Sequence, residues 1–140
     1  MRKLAGVVVA LFGVLALFGS TSAAATPAES SLIGMRWALK TDQTAYFELD
    51  LDGRLSGSDS CNRMMGSFTV LPDENLDFGL GPALTMMYCG DVTGAQSAMR
   101  AALSGSRYWH RVDSALTLSE LPGEQVWEFV LVPLGSAGPG

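Results

Sequence analysis

Histidine occurs once in the 140 residues, at His110, and cysteine twice, at Cys61 and Cys89. So small a supply excludes most of the clusters from which metal centres and activated nucleophiles are built. There is no zinc-type spacing, no phosphate-binding glycine loop, no serine elbow and no calcium loop. Positive charge is also sparse, with 9 Lys+Arg against 14 Asp+Glu and a net charge of -5. An acidic surface disfavours nucleic acid and anionic membrane faces as partners. The longest apolar run, Leu4 to Phe18, falls short of the roughly 18 residues of a membrane-spanning helix.

That run is informative in another way. Arg2 and Lys3 precede it and small residues follow it up to Ala25, which is the pattern of a secretory signal peptide. Residues 1–25 are therefore expected to be a signal peptide cleaved after Ala23, Ala24 or Ala25, with an uncleaved anchor as the alternative. No cysteine lies near the cleavage region, so the diacylglyceryl-cysteine route to a lipoprotein is closed. The mature chain is expected to be periplasmic or secreted, with no integral span and, after loss of two basic residues, a net charge near -7. Its remaining length suits one domain with one core.

Residues 26–31 read as a polar linker, and the domain is expected over residues 32–132. A first strand at Met35 to Leu39 places Trp37 at one end of the core. In the next strand Ala45, Phe47, Leu49 and Leu51 alternate with Tyr46, Glu48 and Asp50, the period of a sheet with one wet face. Asp52-Gly53 suits a type I′ turn with positive φ at both positions, returning through Arg54 to Gly57. An irregular turn is expected around Cys61 to Met65, followed by a strand at Gly66 to Leu71 with Phe68 and Val70 inward. Pro72 to Asn75 turns, Leu76 to Phe78 pairs back, and Leu80 to Tyr88 is an apolar loop. One helix follows, capped by Asp91, striped by Val92, Ala95, Met99, Ala102 and Leu103, and stopped at Gly105. Tyr108–Val112, Ala115–Ser119 and Gln125–Val132 form a closing meander with Trp127, Phe129 and Leu131 on one face. The glycine-rich tail, 133–140, is expected to be disordered.

Both cysteines lie in the stretch from Gly57 to Cys89, which reads as a structural hinge. In an exported chain a Cys61–Cys89 disulfide is the default pairing, and a pair of buried reduced thiols is the alternative. His110, in a predicted strand, is the only base available to a Cys61 nucleophile. Met64, Met65, Met86 and Met87 flank the cysteines, and thioether with thiolate would suit monovalent copper. Methionine also fills irregular gaps in small cores, and a disulfide would remove both thiolates. Asn62 is expected to hold its loop through backbone bonds or a positive φ, and Arg63 to pair with a carboxylate such as Asp59.

The same stretch resembles the signature of the META domain family, which includes HslJ-like heat-inducible proteins. The resemblance spans roughly Leu32 to Val132. It is carried by Trp37, Gly57, Cys61-Asn62-Arg63, Gly66-Ser67-Phe68, Leu76-Asp77-Phe78, and the Thr85, Met87 and Cys89 positions. The family often has glycine before the first cysteine, where this chain has Ser60, and arginine before the methionine of the second motif, where it has Met86. The resemblance implies an α+β fold: a curled antiparallel sheet, a half-barrel of about seven or eight strands, covered by one main helix. It carries links to heat shock, antibiotic resistance and virulence without naming a reaction.

These readings converge on a non-catalytic envelope protein, linked to stress tolerance, with no cofactor and with an unknown protein or apolar ligand engaged by the sheet. Trp37, Gly57, Asn62, Arg63, Gly66, Thr85 and Met87 are expected to be structural motif residues. The alternative is a small hydrolase or copper-handling protein using the Cys, Met and His110 side chains. An open apolar groove would favour the first, and a pocket of clustered titratable groups the second.

Overall fold

The computed structural model describes residues 32–124 and 126–134. The expected signal peptide, the linker and all of the tail beyond Leu134 lie outside the described residues. Ten strands form a single antiparallel sheet: β1 Arg36–Leu39, β2 Asp42–Leu49, β3 Arg54–Asp59, β4 Arg63–Ser67, β5 Thr69–Leu71, β6 Asn75–Asp77, β7 Ala83–Leu84, β8 Ser106–Val112, β9 Ala115–Ser119 and β10 Trp127–Val132. Their order across the sheet is β5-β6-β8-β9-β10-β1-β2-β3-β4-β7, and helix α1, Ala95–Ala102, packs against β2 and β3. The sheet curls into a half-barrel. Its two edge strands have three and two residues, short edges that offer little to a second chain.

Ten strands replace the expected seven or eight because the expected Gly66 to Leu71 strand is divided between β4 and β5 and because β7 is added. Met64 and Met65 belong to β4, which pairs with β3 from Arg54↔Ser67 to Ser58↔Arg63, so the irregular turn is confined to Ser60–Asn62. In addition, β7 adds to the free side of β4 through Met64↔Leu84 and Met65↔Ala83. The expected strand from Gly66 to Leu71 is interrupted at Phe68, whose N–H leaves the ladder for the Gly53 carbonyl at 3.0 Å. Phe68 is still buried, and Val70 packs partly against the core.

Alternation decides burial in β2: Ala45, Phe47 and Leu49 face inward. Leu51, expected among them, is 91% exposed. The strand ends two residues earlier, at Leu49, because Asp50 builds the turn, its carboxylate accepting the N–H groups of Asp52 and Arg54, each at 2.9 Å. Only Gly53 has positive φ there, at 79°, so the turn is not type I′. The Gly53 N–H closes it on the Asp50 carbonyl at 3.2 Å.

The inner face is filled by its own side chains. Trp37, Phe47, Leu49, Met64, Leu116, Leu118 and Phe129 join Met99 and Leu103 of the helix region in one buried cluster. Phe47 and Phe129 meet edge to face at 5.0 Å, a favoured aromatic geometry. Burying each large side chain contributes roughly 1.5–3 kcal/mol. Trp127 and Leu131 pack against the same cluster beside Phe129, as the closing strand's alternation requires. Val92, expected on the helix stripe, is instead 94% exposed, since α1 begins only at Ala95.

Candidate functional site

The two cysteine motifs meet at the turn between β3 and β4. Asp59, the last residue of β3, is fully buried, and its Oδ1 accepts the N–H groups of Cys61 at 3.0 Å and Asn62 at 2.6 Å. The Asp59 N–H in turn donates to the Asn62 carbonyl at 3.0 Å. This Asx-type bonding curls the chain so tightly that Ser60 takes φ 83°, the left-handed region that glycine enters without steric cost. The glycine usual at this position of the family pattern has its physical reason here. Arg100 of α1 approaches Asp59 Oδ2 at 3.7 Å, whereas Arg63, the expected partner, is exposed. Strand alternation explains the exchange: Met64 points inward, so Arg63 points out.

Asn62 is the hub. Its Nδ2 donates to the Met87 carbonyl at 3.1 Å, while its Oδ1 accepts the Met87 N–H at 2.6 Å and the Thr85 hydroxyl at 3.1 Å. The buried amide thus imitates a backbone neighbour for Met87 and carries the β4–β7 pairing past the end of β7. Thr85 helps from the other side, its Oγ1 accepting the Arg63 N–H at 3.0 Å and its own N–H reaching the Arg63 carbonyl at 3.1 Å. Asn62 therefore acts through backbone bonds, and the positive φ belongs to Ser60. Two residues beyond Met87, Cys89 is bridged to Cys61 with Cα atoms 6.0 Å apart, inside the roughly 7 Å reach of a disulfide.

The segment continues into the helix under restraint. Gln96 Nε2 holds the Cys89 carbonyl at 3.1 Å. Asp91 caps the helix from a distance: Oδ1 accepts the Gln96 N–H at 3.0 Å, and Oδ2 accepts the Ser97 N–H at 3.1 Å and the Ser97 hydroxyl at 2.6 Å. The Ser97 hydroxyl bond is the chief reason the Asp91 carboxyl lies below its usual range. Asp42 is lowered likewise by the hydroxyls of Thr44 and then Thr93, the second of which ties β2 to the start of α1. Gly94, at the N-cap position, has φ 76° and no side chain to offer, which leaves the capping to Asp91.

Between these restraints the loop displays apolar side chains to solvent. Met86 is 95% exposed, Tyr88 98% and Met87 62%, with Val92 beyond the bridge. Met86 stands where the family pattern has arginine. With Met86 and Met87 both in solvent, the flanking methionines supply one core side chain, Met64, and both thiolates of a soft-metal site are consumed in the disulfide.

The other motif residues have packing roles. A Cβ on Gly57 would stand 2.1 Å from the Tyr46 carbonyl oxygen, and one on Gly66 would stand 3.1 Å from Pro82 Cα. Trp37 is buried, its Nε1 donating to the Leu32 carbonyl at 3.2 Å.

His110 lies elsewhere. It is exposed on β8, separated from β3 in the sheet order by β9, β10, β1 and β2, so the structure does not bring it to Cys61. It instead lines a cleft of about 510 Å³ with Asp73, Glu74, Tyr108, Thr117 and Glu124. Sequence reading missed this cleft, and it expected Asp59 only as a partner for Arg63, not as the acid that builds the turn. Asp59 left a signal, a short acid just before a Ser-Cys-Asn turn, which suits an Asx turn. Among the described residues no group of three or more His, Cys, Asp or Glu side chains could hold a metal ion, and no helix is long and apolar enough to cross a membrane.

No curated protein matches the chain significantly. One protein whose structure was solved by NMR is similar with a TM-score of 0.56 and 20% sequence identity, over 73% of this chain and 92% of that one, which shows a shared fold. The family profile described as "META domain" matches residues 25–131. Because that match spans well over half of the chain, the chain belongs to the META domain family.

Proposed function

We propose that this chain is an exported, non-catalytic META domain protein that supports envelope stress tolerance by binding a protein partner through the loop from Thr85 to Val92. The observation that carries this reading is the display of Met86, Met87 and Tyr88, three consecutive apolar residues in solvent, on a backbone held by Asn62 and a disulfide. Single exposed apolar side chains are ordinary, but a contiguous set on a restrained loop is a surface suited to association. Restraint matters because a preordered loop loses less conformational entropy on binding. Methionine adapts to varied apolar surfaces, and tyrosine adds a large ring with a polar tip.

The expected docking face, the inner side of the sheet, is occupied by the protein's own core, so the binding reading moves to the loop. The disulfide supports an oxidising compartment. His110 shares its cleft with Asp73, Glu74 and Glu124, the kind of titratable cluster that would favour the alternative, but its side chain bonds no described nucleophile or orienting carboxylate.

The test compares Met86→Glu/Tyr88→Glu with His110→Ala in envelope-stress survival at matched protein levels. Loss of survival in the loop variant alone, with unchanged thermal stability, is the expected result. Loss in the His110 variant alone would overturn the reading.

A further inference from the structure

We propose that the cleft between the β5–β6 turn and the β9–β10 loop is a binding site for an organic cation, an alkylammonium or guanidinium group. The first observation is where unpartnered negative charge collects. Most acidic side chains of the described residues are engaged: Asp42, Asp50, Asp59, Asp77 and Asp91 accept hydrogen bonds, and Glu48, Glu120 and Glu128 pair with arginine or lysine. Among the described residues only Asp52, Asp73, Glu74, Asp113 and Glu124 have no such side-chain partner, and three of these five line this one cleft. Carboxylates from two separate hairpin connections therefore share one space whose described lining contains no lysine or arginine.

The walls complete the chemistry. Tyr108 and His110 stand on the outer side of β8, opposite in direction to the buried Trp109, and Thr117 faces the cleft from β9 beside His110 in the ladder. None of these three side chains makes a hydrogen bond among the described residues. Their hydrogen-bonding capacity is thus available, and an aromatic ring that lines a cleft beside carboxylates attracts a cation with an alkyl body. The volume, about 510 Å³, lies within the roughly 300–1,000 Å³ of small-molecule sites and is more than a bare ion needs.

Two of the acids reach the cleft from one tight turn. Asp73 and Glu74 have φ 62° and 55°, two successive non-glycine residues in the left-handed region. Consecutive left-handed residues suit a tight hairpin connection, and the turn brings both acids into the lining of the cleft.

The cation could arrive as a free polyamine or as a basic side chain of a peptide. The exported protein, labelled with ¹⁵N, is titrated separately with spermidine, with a blocked Gly-Lys-Gly peptide, and with its norleucine analogue as the neutral control. The expected result is saturable shifts at the Tyr108, His110, Thr117 and Glu124 amides with at least one cation and none with the neutral peptide. Glu74→Gln/Glu124→Gln should weaken binding at least tenfold and Tyr108→Leu severalfold, while Asp52→Asn, an unpartnered acid outside the cleft, stays within twofold. Unchanged core amides, such as those of Trp37 and Phe47, show that each variant is folded, and Glu124→Gln alone serves if the double variant is not. Tighter binding of spermidine assigns the site to free amines, and tighter binding of the peptide assigns it to basic side chains. Shifts that never saturate, or an Asp52→Asn effect equal to that of the cleft variants, would mean diffuse counter-ion screening and overturn the proposal.

Discussion

Replacing Asn62 by alanine tests whether one buried amide holds the exposed loop in place. The change removes three hydrogen bonds, two to the Met87 backbone and one to the Thr85 hydroxyl. At about 1 kcal/mol net for each, the expected loss is roughly 3 kcal/mol. The penalty stays near that figure because Met87 is largely exposed, so water can reach the backbone groups left behind. A domain of this size has a total stability of about 5–15 kcal/mol, so the loss should be plain in a urea titration, with the midpoint falling at constant slope. Hydrogen exchange adds the local readout: the Met87 amide, held at 2.6 Å by Asn62, should lose protection while amides of β2 keep theirs. Because Cys61 adjoins Asn62 and Cys89 follows Met87 by two residues, a double-mutant cycle with Cys61→Ser/Cys89→Ser should show a coupling of about 0.5 kcal/mol or more. A loss below about 1 kcal/mol with Met87 still protected would refute the hub, and would mean that the bridge and the β7 ladder suffice.

The Cys61→Ser/Cys89→Ser change alone should lower stability by roughly 3–4 kcal/mol, from the chain-entropy value for a separation of 28 residues, while circular dichroism keeps its sheet signal. Ser60→Gly should raise the melting temperature, relieving a left-handed φ of 83° by up to about 1 kcal/mol after glycine's own entropy cost. Asp91 has a folded pKa below its unfolded one, so its contribution is present above the unfolded value, near pH 4, and is lost as pH falls through the lower folded value. Protection of the Gln96 and Ser97 amides, taken relative to intrinsic exchange at each pH, should therefore fall below about pH 4 in the native chain, and an Asp91→Asn variant should lack that step.

Much of the fold was legible because burial in a strand repeats every two residues. Ala45, Phe47 and Leu49 announce one strand, and Phe129 with its neighbours Trp127 and Leu131 another. Asp113 and Gly123 take positive φ where turns were expected. Local chemistry misled where a side chain redirected its own backbone. Asp50 ended β2 before Leu51 could turn inward, and Asp59 confined the irregular turn so that Met64 and Met65 entered a strand. Val92 shares the helical spacing of Ala95 and Met99, yet Asp91 caps the helix from outside its first turn and leaves Val92 in solvent.

The sequence by itself determined the family, the antiparallel class of the sheet, the residues of the bridge and the motif positions, since each rests on residue types and spacings along a short stretch. Only the tertiary structure decided that β7 extends the sheet, that Arg100 rather than Arg63 faces Asp59, that the inner face is full, and that Asp73, Glu74 and Glu124 share a cleft with Tyr108. Those outcomes depend on pairings between residues tens of positions apart. A shift of one residue in any such register turns every side chain of a strand to the opposite face, and no local pattern in this chain records which register its distant partner takes.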